Sequence, residues 1–335
     1  MKNVLYIGNA LYKTGSTATS IETLGKLLSE HYNIVIASNK SSKMLRLLDM
    51  CYSILSRRKW ANYVLIDTYS TSNFYYAVII GRICKVFKIK YIPILRGGNL
   101  ESRLKNDPKK SSRLFLNAYT LVAPSHFLVD VFKKYNYSNV VFIPNNISVS
   151  NYNFTQRDYS SIRMLWVRSF SKIYNPELAI KVLKDLNKKG FSASLCMVGP
   201  EVDGSLLNCK KLAEELKLKV DFTGKLSKME WIELSKKYNV FINTTNFDNT
   251  PISVMEAMAL GLPIVSTNVG GMPYLIDHKT DGLLVKPESS ESMTNAIIQL
   301  VENHDLVYKL TRNARRKVEQ FDWNLVKNIW LDILR

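Results

Sequence analysis

Two α/β units, each a parallel sheet wound with helices, are what this chain of 335 residues predicts. Three observations carry that expectation. Apolar runs of strand length alternate with helical patterns along the whole sequence. The alternation completes one series near residue 143 and restarts at Met164. The length suits two domains of roughly 150 residues each.

The first series opens with a strand at Val4–Gly8, a helix from about Ser20 to His31, and a strand at Asn33–Ser38. Tyr63–Asp67 is the next strand, followed by a long helical stretch through Phe87. Lys90–Ile94, Tyr119–Ala123 and Val140–Ile143 complete it. In the second series Met164–Arg168 is a strand, Pro176–Lys189 a helix and Ala193–Val198 a strand. Leu207–Leu216 reads as a helix, Lys219–Phe222 as a strand, Lys228–Tyr238 as a helix and Val240–Asn243 as a strand. A helix over Pro251–Leu260 and a strand at Leu262–Thr267 follow. The tail from Asn313 to Arg335 reads as helical, with Trp323, Trp330 and Leu331 at apolar positions. The join lies within Asn145–Arg157, and the domains are expected at 1–148 and 149–315 with a terminal helix over 316–335. In doubly wound sheets a ligand sits beyond the carboxyl ends of the strands.

The formal net charge is +18, and its distribution says more than its size. Residues 1–150 hold 21 Lys and Arg against 7 Asp and Glu, whereas residues 151–335 hold 25 against 21. A cationic half suits nucleic acid, anionic lipid or a polyanionic saccharide, and a well-solvated Lys-rich surface has the same composition. No recognisable nucleic-acid module with interleaved aromatics is present, so nucleic acid is not an expected partner. Cys51, Cys84, Cys196 and Cys209 show no paired spacing, which argues against a zinc site or a disulfide framework and for reduced thiols. Met1–Asn9 reads as a first strand rather than a signal peptide. No apolar run approaches the ~20 residues that span a bilayer. The expected location is cytoplasmic, with any membrane contact peripheral and on the inner face. The segment Lys40–Trp60 sets Lys43, Arg46, Arg57, Arg58 and Lys59 among Met44, Leu48, Tyr52 and Leu55. That pattern fits a membrane-surface helix and equally a core-facing one.

The densest signal lies in Asn246–Pro263 with the following Gly270-Gly271. Asp248 and Glu256 are eight positions apart, with a helix start between them. Thr250 can cap, Pro251 suits the first helical position, and Gly261 ends the helix where a left-handed residue belongs. The layout aims free N–H groups and a partial positive charge at a site flanked by acids. That arrangement suits a diphosphate, with carboxylates left for sugar hydroxyls.

This segment resembles the donor-site signature of the family 4 glycosyltransferases of GT-B fold, in which two Glu are separated by seven residues. Here Asp248 stands for the first and Glu256 for the second. The resemblance extends to Val122–Phe127, Val141–Asn146, Met197–Pro200 and Val220–Ser227. It implies two Rossmann-like domains facing a cleft and a final helix crossing back to the first. It also implies retention at the anomeric carbon and a nucleotide diphosphate sugar, UDP- or GDP-linked, as substrate. By resemblance Arg168 binds phosphate, Glu256 accepts from the ribose hydroxyls, and Asp248 binds the transferred sugar; these three are the candidate catalytic residues. Asn249, Thr250, Pro251, Ile252 and Ser253 line the diphosphate, and Gly199 and Leu226 seat the base. Gly15 in Thr14–Thr17 matches a glycine loop approaching the donor phosphate. Lys172 is a partial substitute for the family's Lys, because Tyr174 falls in the register where Lys is usual. Arg96, with Gly97 and Asn99, occupies the place of a His on the acceptor side; a structural ion pair is the other reading of Arg96. His126 reads as a packed or capping residue.

No two aspartates are two apart, so no Asp-x-Asp metal pair exists and no metal or cofactor is expected. The expected activity is metal-independent, retaining transfer of a hexose-type unit to a cell-surface glycan or lipid-linked saccharide, as in polysaccharide or lipopolysaccharide biosynthesis in a bacterial cell. The rivals are a nucleotide-sugar epimerase and an inactive nucleotide-sugar binding protein of the same fold.

Overall fold

The structure, a computed structural model, describes residues 1–11 and 19–335. The chain divides into two compact units, Met1–Pro144 with Lys327–Arg335, and Asn145–Val326. The expected boundaries at 148/149 and 315/316 therefore fall at 144/145 and 326/327.

The first unit runs β1 (Asn3–Ile7), α1 (Ser20–Leu28), β2 (Asn33–Ala37), α2 (Lys43–Arg57), β3 (Tyr63–Thr68), α3 (Asn73–Val86) and β4 (Lys90–Leu95). It continues with α4 (Glu101–Asn106), α5 (Pro108–Phe115), β5 (Leu121–Ala123), α6 (His126–Lys134) and β6 (Val140–Phe142). All strand pairs are parallel, in the order β2-β1-β3-β4-β5-β6. Every residue of β3 is buried, as a central strand covered on both faces requires. One face is closed by Ile54 of α2, Phe74 of α3, Phe115 of α5 and Phe132 of α6. The Phe115 and Phe132 rings meet edge-on with centroids 4.9 Å apart.

The second unit runs β7 (Ile162–Val167), α7 (Pro176–Lys188), β8 (Ala193–Val198), α8 (Ser205–Glu215), β9 (Val220–Gly224), α9 (Lys228–Ser235) and β10 (Val240–Asn243). Then come α10 (Ile252–Ala259), β11 (Ile264–Thr267), α11 (Met272–Leu275), β12 (Leu283–Val285), α12 (Ser290–Glu302), α13 (His304–Glu319) and α14 (Trp323–Ile333). The sheet is again parallel, in the order β12-β11-β10-β7-β8-β9. From β7 the chain winds outward through β8 and β9, then returns to β10 on the other side of β7. The topological switch point of this unit thus lies between β7 and β10, where a ligand crevice is expected.

Two local expectations are corrected. The tail is two helices, not one. It breaks around Asp322, which bridges Ile147 and accepts the Val149 N–H through Oδ2 at 2.8 Å. The helix after Asp248 begins at Ile252, one residue later than expected, with Pro251 itself at the N-cap. Proline there has extended ψ, 123°, and offers no side-chain acceptor, so Thr250 is not the capping residue.

Candidate functional site

The switch point of the second unit brings two predicted residues together. Arg168 follows β7, and its N–H donates to the Val198 carbonyl at 3.0 Å. Asp248 lies in the loop after β10. That loop is anchored at several points. The Trp166 indole donates to Thr244 Oγ1 at 2.9 Å, which donates on to the Tyr174 carbonyl at 2.8 Å. Gly271 N–H donates to the Asp248 carbonyl at 2.9 Å. A Cβ on Gly271 would stand 2.1 Å from the Asn249 carbonyl oxygen, so only glycine permits this approach. Held in this way, Asp248 forms an ion pair through Oδ2 with Arg168 and accepts its neighbour's Asn249 N–H on Oδ1 at 2.8 Å.

Arg168 is also stacked on Tyr174, its guanidinium carbon 4.3 Å from the ring centroid. Burial works against its charge, but Asp248 and Tyr174 outweigh that and raise its pKa, so it stays a fixed cation. Its Nε is buried and has no hydrogen-bond partner among the described residues. An unmet donor on a fixed cation is a place for an oxyanion. The first-turn N–H groups of α10 belong to the same segment. Ile252 and Ser253 occupy positions with no intrahelical acceptor, and Pro251 does not cap them.

Glu256 lies on the second turn of α10 and is 4% exposed. A buried carboxylate needs partners, and two were not foreseen. The Tyr152 hydroxyl donates to Oε1 at 2.6 Å, and Lys228 Nζ pairs with the same oxygen at 2.5 Å. Burial, and then the neighbouring Glu256 charge, push the Tyr152 pKa far up, so it remains a neutral donor. With both donors on Oε1, Oε2 is left to a further donor. Neither residue has a sequence motif pointing to it. Tyr152 is 104 residues from Glu256, near the start of the second unit. Lys228 gave a weaker signal. It is the first residue of a helix with a Ser227/Glu230 capping box, directly after the expected base-binding turn.

The other predicted residues are placed less uniformly. Gly199 directly follows β8 at φ 154°, and a Cβ there would meet the Arg168 carbonyl oxygen at 1.8 Å. Leu226 is half-buried against the core around α10. Asn249 is buried, and the Thr250 carbonyl accepts from Asn145 Nδ2 at 3.2 Å. Lys172 is exposed, and its backbone N–H, not its ammonium, is tied down, to Asp203 Oδ2 at 3.0 Å. Gly15 lies outside the described residues.

In the first unit Arg96 forms a buried ion pair. Its Nε is 3.1 Å from Asp67 Oδ1, and the Tyr6 hydroxyl donates to that same oxygen at 3.0 Å. Gly97 follows with no room for a side chain, since a Cβ would be 2.5 Å from the Ser70 nitrogen. Asn99 is exposed in a short turn. His126 stacks on Phe142 at 4.0 Å. Among the described residues no group of three or more His, Cys, Asp or Glu is arranged to hold a metal ion.

Comparison with known proteins fits this geometry. Residues 154–317, all within the second unit, match the family model described as Glycosyl transferases group 1. The amylovoran biosynthesis glycosyltransferase AmsK of Erwinia amylovora is 24% identical over 261 residues, 71% of this chain and 61% of that protein. Sucrose-phosphate synthase 4 of Arabidopsis thaliana is 33% identical over 89 residues, 27% of this chain and 8% of that protein. The aligned parts are thus less than two thirds of either relative's length. Among solved structures, Anabaena HepE in complex with UDP and glucose superposes with a TM-score of 0.76 at 16% identity, over 100% of this chain and 99% of that one. The two doubly wound units are those of the GT-B fold.

Proposed function

We propose that this chain is a retaining, metal-independent glycosyltransferase that moves a hexose-type unit from a nucleotide diphosphate sugar to a growing glycan or lipid-linked saccharide. One observation carries the reading. At the switch point a half-buried Arg168, its Nε donor unmet among the described residues, is joined through the Asp248 loop to the uncapped start of α10. In it Arg168 and the α10 N–H groups take the diphosphate, Glu256 takes the ribose hydroxyls, and Asp248 takes the sugar. The acceptor hydroxyl attacks the anomeric carbon on the face from which the diphosphate leaves, and a phosphate oxygen receives its proton. Charge builds on the leaving oxygen, so donors fixed before the reaction are the main catalytic contribution. The UDP named in the HepE structure supports uridine as the base, and the amylovoran role named for AmsK supports a polysaccharide product.

A thermal-shift panel of UDP, GDP and ADP tests the donor class. Saturation at 100-fold over Kd stabilises by about 2.7 kcal/mol, a readily measured shift. No stabilisation by any of the three would end the proposal. Transfer should also persist in EDTA, because Asp248 and Glu256 are already matched by Arg168, Tyr152 and Lys228 rather than open to a cation. Loss in EDTA with recovery on adding Mg²⁺ or Mn²⁺ would falsify the metal-free site. An inactive binding protein has one observation in its favour, the closure of Arg168 onto Asp248. Sugar transfer to an added acceptor, assayed beside donor hydrolysis, separates the two.

A further inference from the structure

Helix α2 has two apolar faces, and the fold uses one of them. Met50 and Ile54 are buried in the core of the first unit. On the opposite side Met44, Leu45, Leu48, Tyr52 and Leu55 are 71%, 56%, 59%, 68% and 40% exposed. At roughly 100° per residue these five fall within a single arc of about 100°. A helix that only covers a core carries polar residues there. The patch continues onto the end of α3, where Arg58 lies over the exposed Phe87 ring at 5.7 Å. Its rim is cationic. Lys40, Lys43, Arg58 and Lys59 are exposed around it, and Asp49 is the sole acid within α2. Among the described residues no helix is long and apolar enough to cross a membrane.

We propose that this face of α2 docks the chain on an anionic lipid bilayer. The stripe settles at the boundary of headgroups and acyl chains while the Lys and Arg side chains meet the phosphates. Charge complementarity selects this occupant. The stripe is on a convex helix rather than in a groove, its rim is basic, and residues 1–150 carry 21 Lys and Arg against 7 Asp and Glu. The docking is independent of what the second unit binds. The test is co-sedimentation of the full chain with vesicles of phosphatidylcholine, with and without phosphatidylglycerol. Binding should require the anionic lipid and weaken in high salt. The variant Leu48→Gln/Tyr52→Gln/Leu55→Gln alters exposed positions, so it should keep the native melting temperature yet bind more weakly by on the order of tenfold or more. Arg58→Gln/Lys59→Gln should weaken binding by a similar factor. Tyr52→Trp should shift its emission to the blue only with anionic vesicles. Undiminished binding by the triple variant, or indifference to lipid charge, would overturn the proposal. So would a wild-type dimer that the triple variant converts to monomer, since a second copy would then own the face. Nucleoside diphosphate binding, measured in parallel, keeps these outcomes separate from the donor site.

Discussion

At the scale of single residues, Arg168 and Asp248 neutralise each other, and that sets opposite expectations for their replacement. Arg168→Ala leaves Asp248 a half-buried carboxylate without its cation. Breaking a fully buried pair costs about 3–5 kcal/mol, and this partly exposed one should cost less; on the proposed function the diphosphate loses its cation as well. Asp248→Asn instead frees the guanidinium. It should bind bare nucleoside diphosphate at least as tightly as the native chain while losing affinity for the intact donor. Calorimetry with both ligands checks this, and equal loss of both would refute the division of roles. Tyr152→Phe removes one of two donors from Glu256 Oε1. A hydrogen bond to a charged group is worth about 1.5–3 kcal/mol, and Lys228 retains part of that. The expected result is a lowered melting temperature with weaker nucleotide affinity, reversed on neither count by changing the sugar. Arg168, Asp248 and Glu256 were legible because their residue types and spacing carry a family pattern. Tyr152 and Lys228 were not, because distant segments bring them to Glu256 only in the folded sheet. The two readings of Arg96 could be separated only by seeing Asp67 and Tyr6 beside it, on strands β3 and β1.

At the scale of elements, the site depends on how loops are pinned to strand ends. Gly270, at φ 53°, and Gly271 press against the Asp248 and Asn249 backbone. Gly271→Ala must push that loop away, so it should lower donor binding without touching any ligand group, read as weaker affinity for nucleotide sugar in a folded protein. The loop bearing Lys172 has a different tie. Asp203 accepts from the Ser205 and Ser171 hydroxyls and the Lys172 N–H, which lowers its pKa to about 2. A carboxyl whose folded pKa lies below the ordinary 3.8 contributes stability that is present above that value and is lost as pH falls through about 2. Amide exchange at Lys172 should therefore quicken over that acid window, and Asp203→Asn should remove the dependence. The strands from β1 to β11 were readable as elements because parallel strands buried on both faces are continuous apolar runs, whereas α6 and α12 were not read. Helices α4 and α5 were not, being short and rich in Lys and Arg. The three-residue β12 lacks length for any periodicity. The break before α14 is made by Asp322 reaching Ile147 and Val149, a contact no local pattern encodes.

At the scale of the whole molecule, charge and chemistry are divided between the two halves of the chain, and salt should separate them. The surplus of cations belongs to residues 1–150, on side chains that are largely exposed, such as Lys40, Lys43, Arg58 and Lys59. Apart from Gly15, which lies outside the described residues, the residues assigned to the donor all follow Asn145, where 25 Lys and Arg are nearly matched by 21 Asp and Glu after residue 150. Their central cation, Arg168, has a side chain 22% exposed and a carboxylate partner 11% exposed. Screening acts over a Debye length of about 8 Å at physiological ionic strength and about 3 Å at 1 M, and it acts mainly on exposed charges. Raising the salt should accordingly release the chain from anionic vesicles while changing its affinity for nucleoside diphosphate much less. Titrating both affinities against ionic strength gives two slopes. A steep slope for vesicles beside a shallow one for the nucleotide is the expected result. Equal slopes would mean that the basic half also gathers the nucleotide, and that the donor's charge is met at the surface rather than by the half-buried Arg168.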